Sequence, residues 1–250
     1  MVKRIALVTN AIDFVGPPAV RALLNDGYEL IAQDPSFHDP GAKNEFLKSY
    51  PEAVTIGIKE PKEIIDYMWD NYKKVDVIVS NDTFPAIHIS IEQARIEDLS
   101  ATIEKLLIFP FKMMQAAIPN LKKQGHGNVI MITSCRTELP LPAGAIPDIA
   151  RAAENAFVKS LSIELAPYGI PVNAIAPNYL YSEAYFPKAK FIDNAIGKRF
   201  IEEVVPAGRL GKPEEIGELV SYLANMKGSF HTGTIIKFAG GWPVAPRRPI

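Results

Sequence analysis

The segment Asn128-Val129-Ile130-Met131-Ile132-Thr133-Ser134-Cys135 is the most informative stretch of the chain, and Arg151 follows its serine by seventeen residues. Its apolar, β-branched run predicts a buried strand that ends at the hydroxyl-bearing residues Thr133 and Ser134. The residues that follow lead into a helical pattern that carries Arg151. Parallel α/β sheets place their sites beyond the carboxyl ends of such strands, so we expect Ser134 to border a site.

The same alternation of short β-branched runs and longer amphipathic segments continues along the chain and predicts βαβ units. The predicted strands are Arg4–Thr9, Glu29–Gln33, Val54–Ile56, Val75–Ser80, Asn128–Thr133, Pro171–Ile175 and Thr234–Phe238. The predicted helices are Pro18–Asn25, Ala42–Ser49, Pro61–Asn71, Ile91–Leu107, Phe111–Gln124, Asp148–Ala166 and Pro213–Ala224. This pattern predicts an α/β fold: a Rossmann-type, doubly wound parallel sheet of seven strands in a single domain, residues 1–250.

Two segments fall outside this alternation. Residues 176–200 form an irregular stretch that is long for an α/β connection, and such insertions are usually functional. Their many aromatic rings predict a wall of a substrate pocket, although the rings could equally be there only to cover the core. The Pro-rich C-terminal tail, residues 242–250, is predicted to lie on a neighbouring surface without forming a helix.

The composition and net charge of the chain limit the kinds of partner that it is expected to bind. The chain has 250 residues, 48% of them hydrophobic, which is enough for one large core. Its net charge of −1 comes from interspersed acids and bases and gives no footprint for nucleic acid, and no apolar run approaches the ~18 residues of a membrane span. The lone Cys135 and the scattered histidines suit neither a disulfide nor a metal site. We expect a cytoplasmic protein whose partners are small molecules and copies of itself.

The turn after the first predicted strand reads Thr9-Asn10-Ala11-Ile12-Asp13-Phe14-Val15-Gly16. Dinucleotide-binding folds place glycines here so that the backbone can approach a pyrophosphate at a helix N-terminus. In this chain the ring of Phe14 would occupy volume that the cofactor needs, and Asp13 would set a negative charge beside its phosphates. The sequence therefore predicts that the protein uses no nicotinamide and no other cofactor.

Two further strand-end residues have plainer interpretations. Asp34 follows the second strand, where NAD-binding Rossmann domains hydrogen-bond a ribose, but Asp34-Pro35-Ser36 is also an ordinary turn sequence. Asn81 follows the fourth strand and is predicted to satisfy loop backbone groups.

Together these motifs resemble the short-chain dehydrogenase/reductase superfamily. In that family a strand ends in a serine that holds the substrate oxygen, and the next helix carries Tyr-x-x-x-Lys. Here Ser134 matches the serine, Arg151 stands at the lysine position and Pro147 stands at the tyrosine position. The arginine makes the chain similar to the halohydrin dehalogenase branch, which uses Ser-Tyr-Arg without any nicotinamide.

The similarity to halohydrin dehalogenases extends over nearly the whole chain. Beyond Ser134 and Arg151 it rests on Phe14 within 9–16, Ser80-Asn81-Asp82, Phe109-Pro110, Ala176-Pro177-Asn178-Tyr179-Leu180, Tyr185-Phe186-Pro187, Gly208-Arg209-Leu210-Gly211 and Ala239-Gly240-Gly241. The resemblance implies that a halide occupies the space a nicotinamide would take. The residues it implies for substrate and halide binding are Phe14, Pro177, Asn178, Tyr179, Leu180, Tyr185 and Phe186.

The resemblance implies a lyase that closes vicinal haloalcohols to epoxides and, in reverse, opens epoxides with small anions. Ring closure needs a base for the hydroxyl, a donor for its oxygen and a site for the departing halide. Ser134 is the expected donor. A tyrosine becomes a usable base beside a fixed cation such as Arg151, whereas Pro147 has no proton to transfer and arginine cannot act as the base.

The replacement base is open among Asp148, Tyr179, Tyr181 and Tyr185. Asp148 is rotated about 100° around the helix axis from position 147, so it is interpreted as a solvated first-turn acid.

The residues that follow Ser134 are expected to have structural roles. Arg136 and Glu138 are expected to form a surface pair, and Cys135 to be a packed or idle thiol.

Three functions remain open at this point. The preferred one is a halohydrin dehalogenase-type lyase, with an unusual base or with activity weakened by Pro147. The second is a non-catalytic binding or scaffold protein that kept the fold and the anion pocket. The third is an NAD(P)-dependent reductase, which Phe14 and Pro147 both oppose.

We predict a homotetramer with closed two-fold contacts. Residues 91–124 and 148–166 should form one interface and the last strand with its tail another, because short-chain dehydrogenase relatives pair through these helices and closed symmetry is usual for homo-oligomers. Light scattering at micromolar concentration should give four times the mass of the chain. A monomeric mass would contradict the prediction.

Overall fold

A computed structural model describes residues 3–244 of the protein. Its strands form one parallel sheet in the order β3-β2-β1-β4-β5-β6-β7. They are β1 (Ile5–Val8), β2 (Glu29–Gln33), β3 (Val54–Ile56), β4 (Val77–Asn81), β5 (Asn128–Ile132), β6 (Val172–Pro177) and β7 (Ile235–Phe238). The order reverses between β1 and β4, which opens the crevice that doubly wound sheets use for ligands. The predicted seven-stranded Rossmann-type fold is confirmed.

Helices cover both faces of this sheet. They are α1 (Gly16–Asn25), α2 (Pro40–Ser49), α3 (Pro61–Tyr72), α4 (Ile96–Ile103), α5 (Phe109–Gln124), α6 (Ala145–Leu165), α7 (Lys188–Phe191), α8 (Ala195–Val204) and α9 (Pro213–Ala224). Helices α1 and α9 pack against each other on one face, and α3 packs against α5 on the other. None of the helices within residues 3–244 is long and apolar enough to cross a bilayer.

The strand β1 shows why the sheet is buried on both faces. Ile5 and Leu7 belong to the core under α3, α5 and α6, whereas Ala6 and Val8 belong to the core under α1 and α9. Successive side chains of a strand point to opposite faces, so a run of four apolar residues supplies both cores. The unbroken apolar run in the sequence is therefore the expected signature of a central parallel strand.

The predicted helix over residues 91–107 is confirmed from Ile96 onward but does not begin at Ile91 and is not a regular α-helix throughout. A short 3-10 turn, Ile91–Gln93, precedes α4, and a π-helical turn, Glu104–Ile108, joins α4 to α5. Pro110 lies in the first turn of α5 and has no N–H to donate. Its ring would clash with the carbonyl four residues earlier in a regular helix, and the wider turn before it accommodates the ring.

Helix α6 begins at Ala145, three residues before the predicted start at Asp148, with Gly144 as its N-cap. Pro147 is therefore the third helical residue and not the first. The N–H groups of the first turn have no partner within the helix, so the missing donor of a proline is still tolerated at this position.

We had predicted that the stretch 176–200 is irregular. The structure differs, because the stretch contains α7 and the start of α8. The side chain of Asn194 accepts hydrogen bonds from the N–H groups of Ile196 and Gly197 and starts α8. An asparagine before an amphipathic run is a recognised N-cap signal that could have predicted this helix.

The aromatic residues of this stretch divide between the two predicted roles. Tyr179 packs into a core cluster with Trp242, at 5.7 Å between ring centroids, and with Phe186 at 5.2 Å. Tyr185 and Phe186 line the cavity described below. Trp242, the first residue of the predicted tail, is thus buried against this segment, whereas residues 245–250 lie outside the described part of the chain.

Candidate functional site

A cavity of about 120 Å³ lies beyond the carboxyl ends of β4, β5 and β6. It brings together the three residues of the predicted catalytic set, Ser134, Pro147 and Arg151. It is also lined by most of the predicted substrate and halide residues, namely Phe14, Pro177, Asn178, Leu180, Tyr185 and Phe186. The predicted residue that does not line it is Tyr179, whose ring is held in the neighbouring core cluster.

Sequence reasoning missed one side of this cavity. The loop after β4 and the start of the α4–α5 region supply Phe84, Pro85, Ala86, His88, Thr102 and Leu106, and the β5 end supplies Thr133 and Arg136. Residues 84–88 could have been predicted to border the site because they follow the end of a strand. No sequence signal pointed to Thr102 and Leu106, because the distance of these residues from the cavity depends on the π-helical turn.

The guanidinium of Arg151 is buried at the centre of the site, with 4% of the residue exposed. Its Nη1 donates to Glu154 Oε2 at 2.8 Å and to the carbonyl of Ile132 at 3.3 Å. Its Nη2 donates to the carbonyl of Asp82 at 3.0 Å and to the phenol oxygen of Tyr185 at 3.2 Å. Four separate elements thus fix this one group.

Two buried carboxyl groups lie beside Arg151. Burial raises the pKa of Asp82 to about 7, although its Ser80 hydrogen bond and Arg151 oppose the rise. Burial also raises the pKa of Glu154 well above its ordinary value, against the pull of Arg151. Burial alone would lower the pKa of Arg151, but Glu154, Tyr185 and Asp82 together raise it, so the guanidinium stays charged.

The hydroxyl of Ser134 is held at the edge of the cavity. It donates to the carbonyl of Pro177 at 3.0 Å and accepts from the backbone N–H of Arg136 at 3.2 Å. The Ser134 carbonyl accepts from Asn155 on α6 at 2.9 Å, which ties the β5 end to the helix. A substrate hydroxyl could take the place of the Pro177 carbonyl as the partner of this donor.

The phenol of Tyr185 reaches the site from the opposite side to α6. A tight turn directs it there, because the Ser182 hydroxyl accepts from the Tyr185 N–H at 3.2 Å and the Ser182 carbonyl accepts from the Phe186 N–H at 2.9 Å. The phenol oxygen donates to the Phe84 carbonyl at 2.8 Å and accepts from the Phe84 N–H at 3.1 Å. Thr83 Oγ1 lies 3.3 Å from it.

The other three candidate bases have different surroundings. The prediction that Asp148 is solvated is wrong. Asp148 forms an ion pair with Arg136, and both side chains are largely buried. Tyr179 packs in the aromatic core cluster, and burial raises its pKa. Tyr181 hydrogen-bonds Glu183 at an exposed position. Of the four, Tyr185 is the one that contacts Arg151.

The predicted surface pair between Arg136 and Glu138 is wrong. Arg136 turns toward α6 and pairs with Asp148, while Glu138 pairs with Lys237 at 3.0 Å. Cys135 is buried, and burial raises the pKa of its thiol to about 11. A thiol that stays protonated at neutral pH is a poor nucleophile, which agrees with the prediction of a packed thiol.

Asn81 organises the turn that follows β1. Its side-chain amide donates to the carbonyls of Asn10 and Asp13 and accepts from the N–H of Val15. This is the backbone-satisfying role that we predicted for Asn81. Asp34 likewise forms the predicted turn, with its carboxylate accepting from the N–H and hydroxyl of Ser36.

The turn held by Asn81 carries the aromatic ring of Phe14. Phe14 adopts the left-handed backbone conformation, with φ of 52°, and its ring meets Tyr185 edge to face at 4.8 Å. Asp13 accepts from the Phe14 N–H at 2.7 Å, so its carboxylate stays within the turn. Both rings line the cavity that contains Ser134, and we expect them to occupy space that a nicotinamide would need.

Gly16, the glycine at the end of this turn, is required for steric reasons. A Cβ at Gly16 would lie 2.6 Å from the carbonyl oxygen of Asn10, closer than such atoms approach one another. Gly16 is therefore required by the turn itself, and its presence gives no support for phosphate binding.

Comparisons with known proteins agree on the family and differ on the chemistry. A family model described as enoyl-(acyl carrier protein) reductase matches residues 19–243. Dehydrogenase/reductase SDR family member 4 of Homo sapiens is 26% identical over 97% of this chain and 88% of its own length. The 3-oxoacyl-[acyl-carrier-protein] reductase FabG of Escherichia coli is 27% identical over 95% of this chain and 96% of its length.

Among solved structures, halohydrin dehalogenase (HheC) bound to ethyl (2S)-oxiran-2-ylacetate superposes with a TM-score of 0.93. It is 32% identical, and the match covers 98% of this chain and 99% of that chain. The curated relatives named above are thus oxidoreductases, while this structural relative is a dehalogenase that binds an epoxide.

We expect the purified protein to bind neither NADH nor NADPH, because the Phe14 and Tyr185 rings fill the space that the nicotinamide requires. Titration should leave the fluorescence of either nucleotide unchanged. A micromolar dissociation constant, equivalent to about −8 kcal/mol, would be incompatible with a filled cleft.

We predict that Asp82→Asn flattens the pH dependence of stability. The raised pKa of Asp82 means that its contribution to stability is fully present below about pH 4, its unfolded pKa, and is lost as pH rises through about 7. A rise of about 3 units corresponds to at most about 4 kcal/mol.

Urea unfolding at pH 5 and pH 8 measures the effect. The wild-type protein should lose more unfolding free energy between these pH values than Asp82→Asn does, and the exposed control Asp70→Asn should behave like the wild type. Equal losses in wild type and Asp82→Asn would show that another group governs the dependence.

Proposed function

Because the chain belongs to the short-chain dehydrogenase/reductase superfamily but packs the rings of Phe14 and Tyr185 together at the cavity that contains Ser134, we propose that it is a cofactor-independent halohydrin dehalogenase-type lyase. It would convert vicinal haloalcohols to epoxides and halide, and open epoxides with small anions in reverse. The observation that carries the proposal is the contact between Phe14 and Tyr185 in front of Ser134 and Arg151. The 32% identity to a dehalogenase that binds an epoxide supports it.

The cavity suits a small substrate. Its volume of about 120 Å³ is well below the roughly 300–1,000 Å³ of sites that take drug-sized ligands. A haloalcohol of a few carbon atoms needs little room, whereas a dinucleotide with its substrate needs far more. Size therefore favours a small molecule acting alone over a reductase complex.

Ser134 would hold the substrate oxygen. Its hydroxyl can turn from the Pro177 carbonyl to the substrate while the Arg136 N–H keeps its oxygen in place. As the substrate O–H bond breaks, a C–O bond forms and the C–halogen bond breaks with its electron pair on the halide. The serine hydrogen bond strengthens as charge develops on the substrate oxygen, so it lowers the barrier.

The departing halide would lie on the side of the cavity lined by Phe14, Asn178, Leu180 and Phe186. A halide is held there by aromatic edges and polar groups. Tyr179, which the family resemblance implies for halide binding, is placed at this side of the cavity by its backbone. Its backbone is left-handed, with φ of 53°, and both of its chain neighbours line the cavity while its ring packs away from it.

A second candidate is a non-catalytic anion-binding protein. Two observations favour it: Pro147 has no proton to transfer, and Glu154 partly neutralises the guanidinium that would activate a base. Such a protein would still bind bromide or a carboxylate in the cavity. The two candidates therefore differ in turnover and not in anion binding.

The test is bromide release from a small vicinal bromoalcohol, with the epoxide product followed by gas chromatography. We expect turnover by the wild-type protein and a loss of about 10²–10³-fold in kcat for Ser134→Ala, the usual effect of removing one such donor. The control is Ser162→Ala. Ser162 is also a buried serine, but it lies on α6 and its hydroxyl donates to the carbonyl of Lys159, away from the cavity. It should keep wild-type activity.

The reverse reaction, azide opening of the matching epoxide, should fall in parallel for Ser134→Ala. Bromide binding without any turnover in either direction would decide for the non-catalytic candidate. Reduction of a ketone with consumption of NADPH would decide for a reductase.

A further inference from the structure

The phenol of Tyr185 contacts Arg151 in the cavity that contains Ser134, although Tyr185 does not lie on α6. Its oxygen lies 3.2 Å from Arg151 Nη2, and its ring lines the same cavity as Ser134. Pro147, on α6, forms another part of the same wall. The cavity therefore contains a serine hydroxyl, a guanidinium and a phenol, with the phenol supplied by the segment after β6.

Several groups hold this oxygen in position. Arg151 Nη2 and the Phe84 N–H, at 3.1 Å, donate to it, and Thr83 Oγ1 lies 3.3 Å away. A side chain held by this many partners is fixed in the cavity before a substrate binds. The protonated phenol has its own partner, because it donates to the Phe84 carbonyl at 2.8 Å.

The ring is also held in place. Phe14 meets it edge to face at 4.8 Å, and the turn from Ser182 to Phe186 fixes its backbone. A base that is already oriented loses little entropy when the substrate arrives. Tyr185 is thus positioned by packing and by hydrogen bonds from two loops.

We propose that Tyr185 is the catalytic base of the proposed dehalogenation, in place of the tyrosine that Pro147 replaces. This assignment rests on the proposed function. The Tyr185 phenolate takes the proton of the substrate hydroxyl, the substrate oxygen closes on the neighbouring carbon, and the halide leaves with the electrons of the broken C–halogen bond. In the reverse direction the Tyr185 phenol returns the proton to the opened epoxide oxygen.

The same geometry offers an exit for the proton. Thr83, beside the phenol, also borders a second cavity of about 290 Å³ that is lined by Asn10, Pro35, Lys59, Lys105 and Phe109. Lys59 and Lys105 are exposed, so this cavity is in contact with solvent. The Thr83 hydroxyl can accept the proton from the phenol and donate its own toward water, which restores the phenolate for the next turnover.

The first experiment compares Tyr185→Phe with Tyr181→Phe, which removes an exposed phenol of the same segment. For a vicinal bromoalcohol we expect kcat of Tyr185→Phe to fall by roughly 10²–10⁴-fold, the contribution of a positioned general base. Its KM, and its bromide dissociation constant measured by calorimetry, should stay close to those of the wild type. Tyr181→Phe should keep wild-type kcat.

The second experiment keeps every hydrogen bond. Replacing Tyr185 by difluorotyrosine makes the phenol more acidic without shortening the side chain. The charged and titratable groups around it are unchanged: Arg151 contacts it, Asp82 and Glu154 contact Arg151, and Arg136 and His88 line the same cavity. The rise of kcat with pH should therefore move to lower pH, and a purely structural tyrosine would leave it where it is.

The outcomes separate the two proposals. If the wild type turns over and Tyr185→Phe does so equally fast, or loses activity only together with bromide affinity, Tyr185 is not the base and the proposed function stands. The same holds if difluorotyrosine leaves the pH profile unmoved. If the wild type turns over no haloalcohol and opens no epoxide, the proposed function fails and the assignment of Tyr185 fails with it.

Discussion

The burial of one guanidinium is the constraint on which the site depends. A charge removed from water is costly unless hydrogen bonds and an opposite charge replace the solvent. Arg151 obtains these partners from the ends of β4 and β5, from Glu154 on its own helix and from Tyr185 in the segment after β6. Because each partner lies on a different element, the need to satisfy Arg151 fixes the relative positions of the elements that form the cavity.

The charge that Arg151 presents to the cavity is set by its acidic neighbours. If Asp82 and Glu154 were both ionised, the buried cluster would be negative overall and would oppose a phenolate. Burial raises the pKa of both carboxyl groups, so the cluster favours holding a proton. The guanidinium that these carboxyl groups surround contacts Tyr185 at 3.2 Å.

The sequence was sufficient for the sheet and for half of the site. Apolar runs such as Ile5–Val8 predict central parallel strands, and the resemblance to the short-chain dehydrogenase/reductase motif implies that Ser134 and Arg151 meet in one cavity. The choice of Tyr185 among the tyrosines of its segment could not be predicted. Its direction depends on a turn closed by Ser182 and on Phe84, a contact across about a hundred residues. Pairing of Arg136 with Asp148 instead of Glu138 likewise depends on where α6 begins.

The conformation of the turn after β1 and the position of the Tyr185 phenol are physically linked in this chain. Phe14 can stand in its turn because Asn81 holds a backbone conformation that a bulky residue adopts only when its surroundings enforce it. The ring so placed packs against Tyr185 and directs it toward Arg151. The contact that we expect to exclude a nicotinamide is therefore the one that orients the phenol. Because both rings contribute to this contact, we expect dinucleotide binding to require changes at both positions.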